Sequence, residues 1–320
     1  MTRTDRDAVL LTDDMLAGLG ISTAEAADSV EAALANQEGG SLLTAPKSAI
    51  VPGDGRYMMT TLSVADLTVV KSVMVSPRNP DRGLDGIEGN ILIQDSETGL
   101  LRAVMGAKWV TAVRTAALST VAARRLADPE SGIIAFVGCG TQAHSHLDAF
   151  ADLFPLKAVR AVGRGQAGID RLCEAARARG LAAEACSDPR DAFADADIIV
   201  TSITLSYDVE PFLDAGWMKP GAFAAITDLA LPWRPEGMSG LGTLYIDDLE
   251  QEAASPKPMV DPQLISGDLR DLAKRPRASA FTADTRSAFV FRGLAIGDYA
   301  LAALAYDRAV KAGIGTRITL

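Results

Sequence analysis

Six consecutive residues near the middle of the chain, Gly138-Cys139-Gly140-Thr141-Gln142-Ala143, have the spacing G-x-G-x-x-A. They follow an apolar run, IIAFV, and open a segment of helical periodicity. In a strand–turn–helix of this kind Gly138 permits the tight turn and Gly140 lets the backbone approach a pyrophosphate. Ala143 lets helix and strand pack closely. The helix start then presents free N–H groups and the positive end of its dipole to the phosphates. Cys139 sits where the turn needs a small side chain, so it is not read as a nucleophile. The next apolar run, AVRAV, ends in Gly163-Arg164. An Asp or Glu, which usually holds a ribose 2′-hydroxyl at this point, is absent. An arginine suits a 2′-phosphate, so Arg164 favours NADP(H) and leaves NAD(H) open; the alternative is a solvated loop arginine.

Three further residues have the chemistry for a small polar substrate. Lys71 lies inside the apolar run LTVVKSVMV. It is placed either to hold a carboxylate or polarise a C=O or C=N group, or to point outward from an edge strand. Arg114 lies among small residues in KWVTAVRTAAL, where a carboxylate has room to be gripped in fork fashion. Asp228 ends the run AFAAIT, at a strand end that faces the ligand crevice in an open parallel sheet, so it is a candidate for proton transfer. A helix-surface arginine and a capping aspartate are the plainer alternatives. The two histidines, His144 and His146, are two apart on one helix and point in different directions. The three cysteines, Cys139, Cys173 and Cys186, form no ligand pattern. No metal is expected.

These residues need a scaffold. Residues 9–20 read as a strand entering a turn, and a helix follows from Ser22 or Thr23. Residues 42–75 and 90–105 read as strands of a mixed or antiparallel sheet, and residues 107–127 as a helix rich in alanine. From residue 132 strands and helices alternate, with apolar strands throughout, which is the pattern of a parallel sheet covered on both faces. Residues 286–291 read as a further strand and residues 296–311 as an amphipathic helix. The chain has 320 residues, 48% hydrophobic and 22% charged, with a net charge of −10. That is a globular balance with no bulk attraction for nucleic acid or an anionic membrane. Few cysteines, no 18-residue apolar run and no leader pattern in MTRTDRDAVLLTDD lead to the expectation of a cytoplasmic protein.

The segment from Val69 to Ala127 resembles the long signature of the ornithine cyclodeaminase/mu-crystallin family. The matching features are the strand lysine, the P-x-N turn, the hairpin at residues 95–99, Gly106 and T-x-x-R-T-A-A at residues 111–117. The resemblance continues through VGCGTQ, DIIVTSIT and KPGAFAAITD. It implies an α/β fold: a Rossmann-like doubly wound parallel sheet at residues 128–294, plus an α+β substrate-binding and dimerisation domain at residues 1–127 with 295–320. It implies a homodimer that passes hydride between a nicotinamide and the Cα of a small α-amino or α-imino acid. The family's substrate-holding lysine falls on Lys71, its carboxylate-binding arginine on Arg114 and its proton-carrying acid on Asp228. Cofactor contacts fall on Thr115, the loop Gly138, Cys139, Gly140, Thr141 and Gln142, and Thr201. The family's upstream arginine is replaced by Lys47, a point charge. Gly86 stands where the cyclodeaminases carry threonine, and FVFRG at residues 289–293 where D-S-T-G is usual. The expectation is therefore an NAD(P)H-dependent imine reductase or the reverse amino-acid dehydrogenase. An ammonia-releasing cyclodeaminase with recycled NAD and a non-catalytic nucleotide- or ligand-binding protein are the alternatives.

Overall fold

The computed structural model describes residues 7–205 and 207–319. Residues 1–6, the start of the stretch read for a leader, lie outside the described residues. The chain divides into two compact units: one holds the described residues up to Arg114 and from Leu294 onward, the other holds Thr115–Gly293. The division falls inside a helix rather than after residue 127, because that helix carries the chain from one unit to the next.

The first unit opens with β1 (Asp7–Leu11). A short helix, α1 (Asp13–Ala17), stands where the sequence suggests only a turn, because the Thr12 side chain caps it. In α2 (Thr23–Glu38), Ser22 and Glu25 form a reciprocal capping box. The strands β2 (Leu43–Thr44), β3 (Ser48–Ile50), β4 (Tyr57–Val64), β5 (Leu67–Val75), β6 (Ile87–Asp95) and β7 (Leu101–Gly106) follow. All their pairings are antiparallel except that of β7 with β1, which is parallel. Register decides what this sheet presents. Thr61, Lys71, Ile91, Met105 and Leu11 lie opposite one another in a single row across five strands. Side chains alternate along a strand, so this whole row points to one face, and every member is buried. The adjoining row, Leu62, Val70, Leu92, Val104 and Leu10, points to the other face, and its three leucines are exposed.

Helix α3 (Lys108–Leu126) starts against α1, where the Trp109 N–H donates to Asp13 at 2.7 Å. At Gly106 any Cβ would collide with that same carboxylate. The second unit then alternates: β8 (Ile133–Val137), α4 (Thr141–Leu153), β9 (Ala158–Val162), α5 (Gln166–Ala178), β10 (Ala182–Ala185), α6 (Pro189–Phe193), β11 (Ile198–Thr201) and β12 (Phe223–Ile226). The elements α7 (Pro235–Met238), β13 (Thr243–Ile246), α8 (Leu249–Ala253), β14 (Gly267–Asp268), α9 (Leu269–Ala273) and β15 (Ser287–Val290) complete it. Every strand pair is parallel, in the order β10-β9-β8-β11-β12-β15-β13-β14. The sheet is therefore doubly wound, and the order reverses between β8 and β11. All residues of β11, β12 and β15 are buried, as a sheet covered on both faces requires. The late strand β15 inserts between β12 and β13, an order that local sequence does not encode.

The chain then returns to the first unit. Helix α10 (Ala295–Ala312) lies on the buried face of β4, β5 and β6 and packs beside α2; Gly313 ends it in a left-handed turn with φ 66°. A last strand, β16 (Thr316–Thr319), pairs antiparallel with β1. Among the described residues no helix is long and apolar enough to cross a membrane.

Candidate active site

In the first unit, Lys71 meets a partner that sequence reading misses. Its side chain is buried, and Nζ donates to Asp298 Oδ1 at 2.9 Å. Asp298 lies on α10, one turn in from its start. Thr61, beside Lys71 in the sheet row, donates to Asp298 Oδ2 at 3.2 Å. Arg114 Nε stands 3.2 Å from Asp298 Oδ1. That is an ion-pair separation, but the N–H is not aimed at the oxygen, and both Nε and Nη1 are buried without a hydrogen-bond partner. Lys71 therefore points into the unit, not outward from an edge strand.

The charges of this cluster do not balance. Buried Lys71 and largely buried Arg114 share one carboxylate. Burial pushes the Asp298 proton affinity up, but Lys71, Arg114 and the nearby charge of half-exposed Lys47 together bring it below the ordinary aspartate value. Burial lowers the Lys71 value and Arg114 adds to this, against the attraction of Asp298. A surplus of buried positive charge with unsatisfied guanidinium donors suits a small anion, and a carboxylate above all.

In the second unit, the glycine turn lies at the carboxyl end of β8, beside the reversal of strand order. Gly138 has φ 92°, and a Cβ there would come within 2.5 Å of the Ser202 carbonyl oxygen. Only glycine fits. At Gly140 nothing lies within 4 Å of the Cβ position, and this residue caps α4 with no side-chain hydrogen bond. Open space thus meets free helix N–H groups, and Ala143 is fully buried where α4 meets the sheet. These residues fit a dinucleotide pyrophosphate. Cys139 turns its thiol to the Val162 carbonyl at 3.4 Å, and burial raises its pKa to about 11, so it carries no thiolate. Thr141 is exposed at the mouth of the turn and Gln142 is half-buried beside it, whereas Thr115 is buried in α3. Gly163 stands against Cys139, with a Cβ position only 3.3 Å from its sulfur, which leaves little room for the usual acid. Arg164 follows it, fully on the surface. His146 is buried and holds the Gln142 carbonyl and the Ser119 hydroxyl, at 2.7 and 2.9 Å, and burial lowers its pKa to about 4.

Asp228 is wholly buried just beyond β12. Burial raises its pKa to about 7, while the Ile203 N–H and the Thr201 hydroxyl act to lower it. Thr201, expected to meet the cofactor, is buried at the end of β11, and its hydroxyl is engaged with Asp228 at 3.0 Å and with the Trp233 indole at 3.2 Å. Trp233 and Asp298 are the functional candidates that sequence reading leaves out. Asp298 has a signal in retrospect, a lone carboxylate in the apolar stretch AIGDYALAAL.

A doubly wound sheet with a glycine turn at its point of reversal, in a chain whose first unit holds an under-neutralised cationic cluster, has the features of a dinucleotide-binding α/β protein. The match is closer than class. The chain belongs to the ornithine cyclodeaminase/mu-crystallin family, whose model matches residues 7–228. It is 26% identical to an alanine dehydrogenase of Archaeoglobus fulgidus over 98% of both chains. It is 29% identical to the ketimine reductase mu-crystallin of Mus musculus, over 87% of this chain and 90% of that one. The fold also matches the solved Δ1-pyrroline-2-carboxylate reductase of Thermococcus litoralis, in complex with NADH and L-proline. The TM-score is 0.86 and the identity 24%, over 97% of this chain and 100% of the other.

Proposed function

We propose that this chain is an NAD(P)-dependent oxidoreductase acting on CH–NH or CH–NH2 groups, and in particular a reductase of a small α-imino acid or the reverse amino-acid dehydrogenase. The observation that carries this reading is the buried Lys71–Asp298–Arg114 cluster, with more positive than negative charge and two guanidinium nitrogens unsatisfied. Arg114 grips the substrate carboxylate, and Lys47 adds positive charge from the rim. Lys71 orients the substrate and favours negative charge near the reacting carbon. Asp228 carries the proton that the substrate nitrogen gains or loses, a task suited by a pKa near 7. The turn of Gly138, Gly140, Thr141 and Gln142 holds the dinucleotide, whose nicotinamide supplies or accepts the hydride when bound. The relatives named alanine dehydrogenase, ketimine reductase and pyrroline-2-carboxylate reductase support the reaction class.

The test is absorbance at 340 nm with NADPH or NADH. The panel pairs pyruvate, glyoxylate or oxaloacetate with ammonia or methylamine, and adds cyclic five- and six-membered imino acids. Oxidation with an imine and little with the keto acid alone is the expected result; a flat trace across the panel sinks the reading.

Surface-exposed Arg164, with no acid at Gly163, favours NADPH through its 2′-phosphate. Arg164→Ala is expected to raise the KM for NADPH at least tenfold and leave that for NADH within twofold. Equal changes for both cofactors would remove Arg164 from recognition.

The exposed leucine row of the first sheet suits a homodimer. Leu10, Leu62 and Leu92 are 38%, 36% and 40% exposed, aligned across the sheet with Val70 and Val104 between them. Leu92→Glu is expected to convert a dimer to a monomer in sedimentation velocity, with its circular dichroism unchanged. A dimer that survives this change uses another face.

A further inference from the structure

The carboxyl end of β12 is built differently from the rest of the sheet. Directly after Asp228, Leu229 and Ala230 take left-handed φ values of 59° and 56°. They are two of the three non-glycine residues with positive φ among the described residues. The turn closes through the Leu231 N–H and the Asp228 carbonyl at 3.1 Å. Such a turn is cheapest with glycine or asparagine, so the chain holds a strained form here. Its effect is to bring Trp233 back beneath Thr201. The indole is 2% exposed and stacks on Phe193, with ring centroids 5.7 Å apart.

With Asp228 ionised, the hydrogen bonds in this corner run in one direction. An indole N–H is a donor and never an acceptor. The Thr201 oxygen must therefore accept from Trp233, at 3.2 Å. A hydroxyl has one proton, and an ionised carboxylate only accepts, so that proton goes to Asp228 Oδ1 at 3.0 Å. The Ile203 N–H donates to Oδ2 at 3.2 Å. Both carboxyl oxygens accept, and both bonds favour the ionised form against complete burial. The groups that act on Asp228 are Ile203, Thr201 and its own backbone, with no charged side chain among them in the described residues.

We propose that Thr201 and Trp233 are positioning residues for the reaction: the indole locks the Thr201 hydroxyl as a one-way donor to Asp228, so that this buried carboxyl can release and recover its proton. The proposal rests on the reading of Asp228 as the proton carrier, and its test separates the two. In the full chain with labelled aspartate carboxyl carbons, the Asp228 resonance is identified by its loss in Asp228→Asn and titrated by NMR without substrate. The wild-type midpoint is expected near 7. Thr201→Val is expected to raise it by about one pH unit, since burial then acts against one donor fewer. Trp233→Phe keeps the ring stack and frees the hydroxyl, and about half that shift is expected. Thr201→Ser restores the wild-type midpoint. Unmoved midpoints in folded Thr201→Val and Trp233→Phe overturn the proposal, as does a shift in Thr201→Ser equal to that in Thr201→Val. The pH profile of kcat/KM is expected to move with the midpoint in both variants. Full turnover by Asp228→Asn would refute the proton-carrier reading alone, and the titration would still decide whether Thr201 and Trp233 hold the carboxyl.

Discussion

Asp298→Asn is expected to lower the stability of the first unit by about 3–5 kcal/mol at neutral pH, the usual cost of removing one partner from a buried ion pair. The shape barely changes, so packing loss is not the cause. Lys71 is 1% exposed, and its Nζ relies on Asp298. The asparagine offers no charge to Lys71 or Arg114. The sign of the pH dependence follows. In the wild type, burial and Arg114 lower the proton affinity of Lys71, and Asp298 opposes them. Without the carboxylate only the lowering contributions remain, so the folded-state pKa falls further below the unfolded reference of about 10.4. Between those two values the unfolded chain binds more protons than the folded one, so stability rises with pH across that window. The deficit of Asp298→Asn is therefore expected to be larger at pH 7 than at pH 10. Urea unfolding at both pH values measures it. A wild-type midpoint at pH 7 would mean that the cluster does not depend on this carboxylate.

The same cluster marks how far the sequence could be read. The glycine turn was legible because strand, turn and helix are contiguous, and each small residue answers a local steric demand, as the collision waiting at Gly138 shows. Lys71 was legible as a charge inside an apolar strand, but its direction was not, because that depends on the face that α10 covers. Asp298 stayed hidden because its partners lie more than 180 residues upstream, and its own helix reads as amphipathic with or without it. Thr201 was legible as a residue near the cofactor crevice and illegible in role. Its hydroxyl is claimed by Trp233 and Asp228 through a strained turn of Leu229 and Ala230, residues that carry no turn signature. The insertion of β15 between β12 and β13 is likewise a choice made by packing across the sheet.

The largest expected catalytic effect belongs to Arg114. Its Nε and Nη1 are buried without hydrogen-bond partners, although the charge itself is partly met by Asp298. Such donors are costly to leave unmet, and a substrate carboxylate satisfies them with short, charge-assisted bonds. Truncating one side of a buried charged contact of this kind costs about 3–5 kcal/mol, which is roughly two to three and a half orders of magnitude in kcat/KM. Arg114→Met is expected to show that loss. Arg114→Lys keeps the charge but replaces the planar fork with a point donor, so it should recover only part of the activity. The decisive comparison uses a substrate whose carboxylate is replaced by a carboxamide. Arg114 grips the anion in this reading, so the wild type should be slow with the amide and Arg114→Met should be nearly as fast as the wild type on it. A loss of equal size on acid and amide would mean that Arg114 shapes the unit through Asp298 and does not touch the carboxylate. The sharing of Asp298 between Lys71 and Arg114 also couples the two predictions. With Asp298→Asn in place, a bound carboxylate replaces the anion that both cations share. Substrate or product should then raise the melting temperature of that variant more than that of the wild type, as binding to the folded state requires.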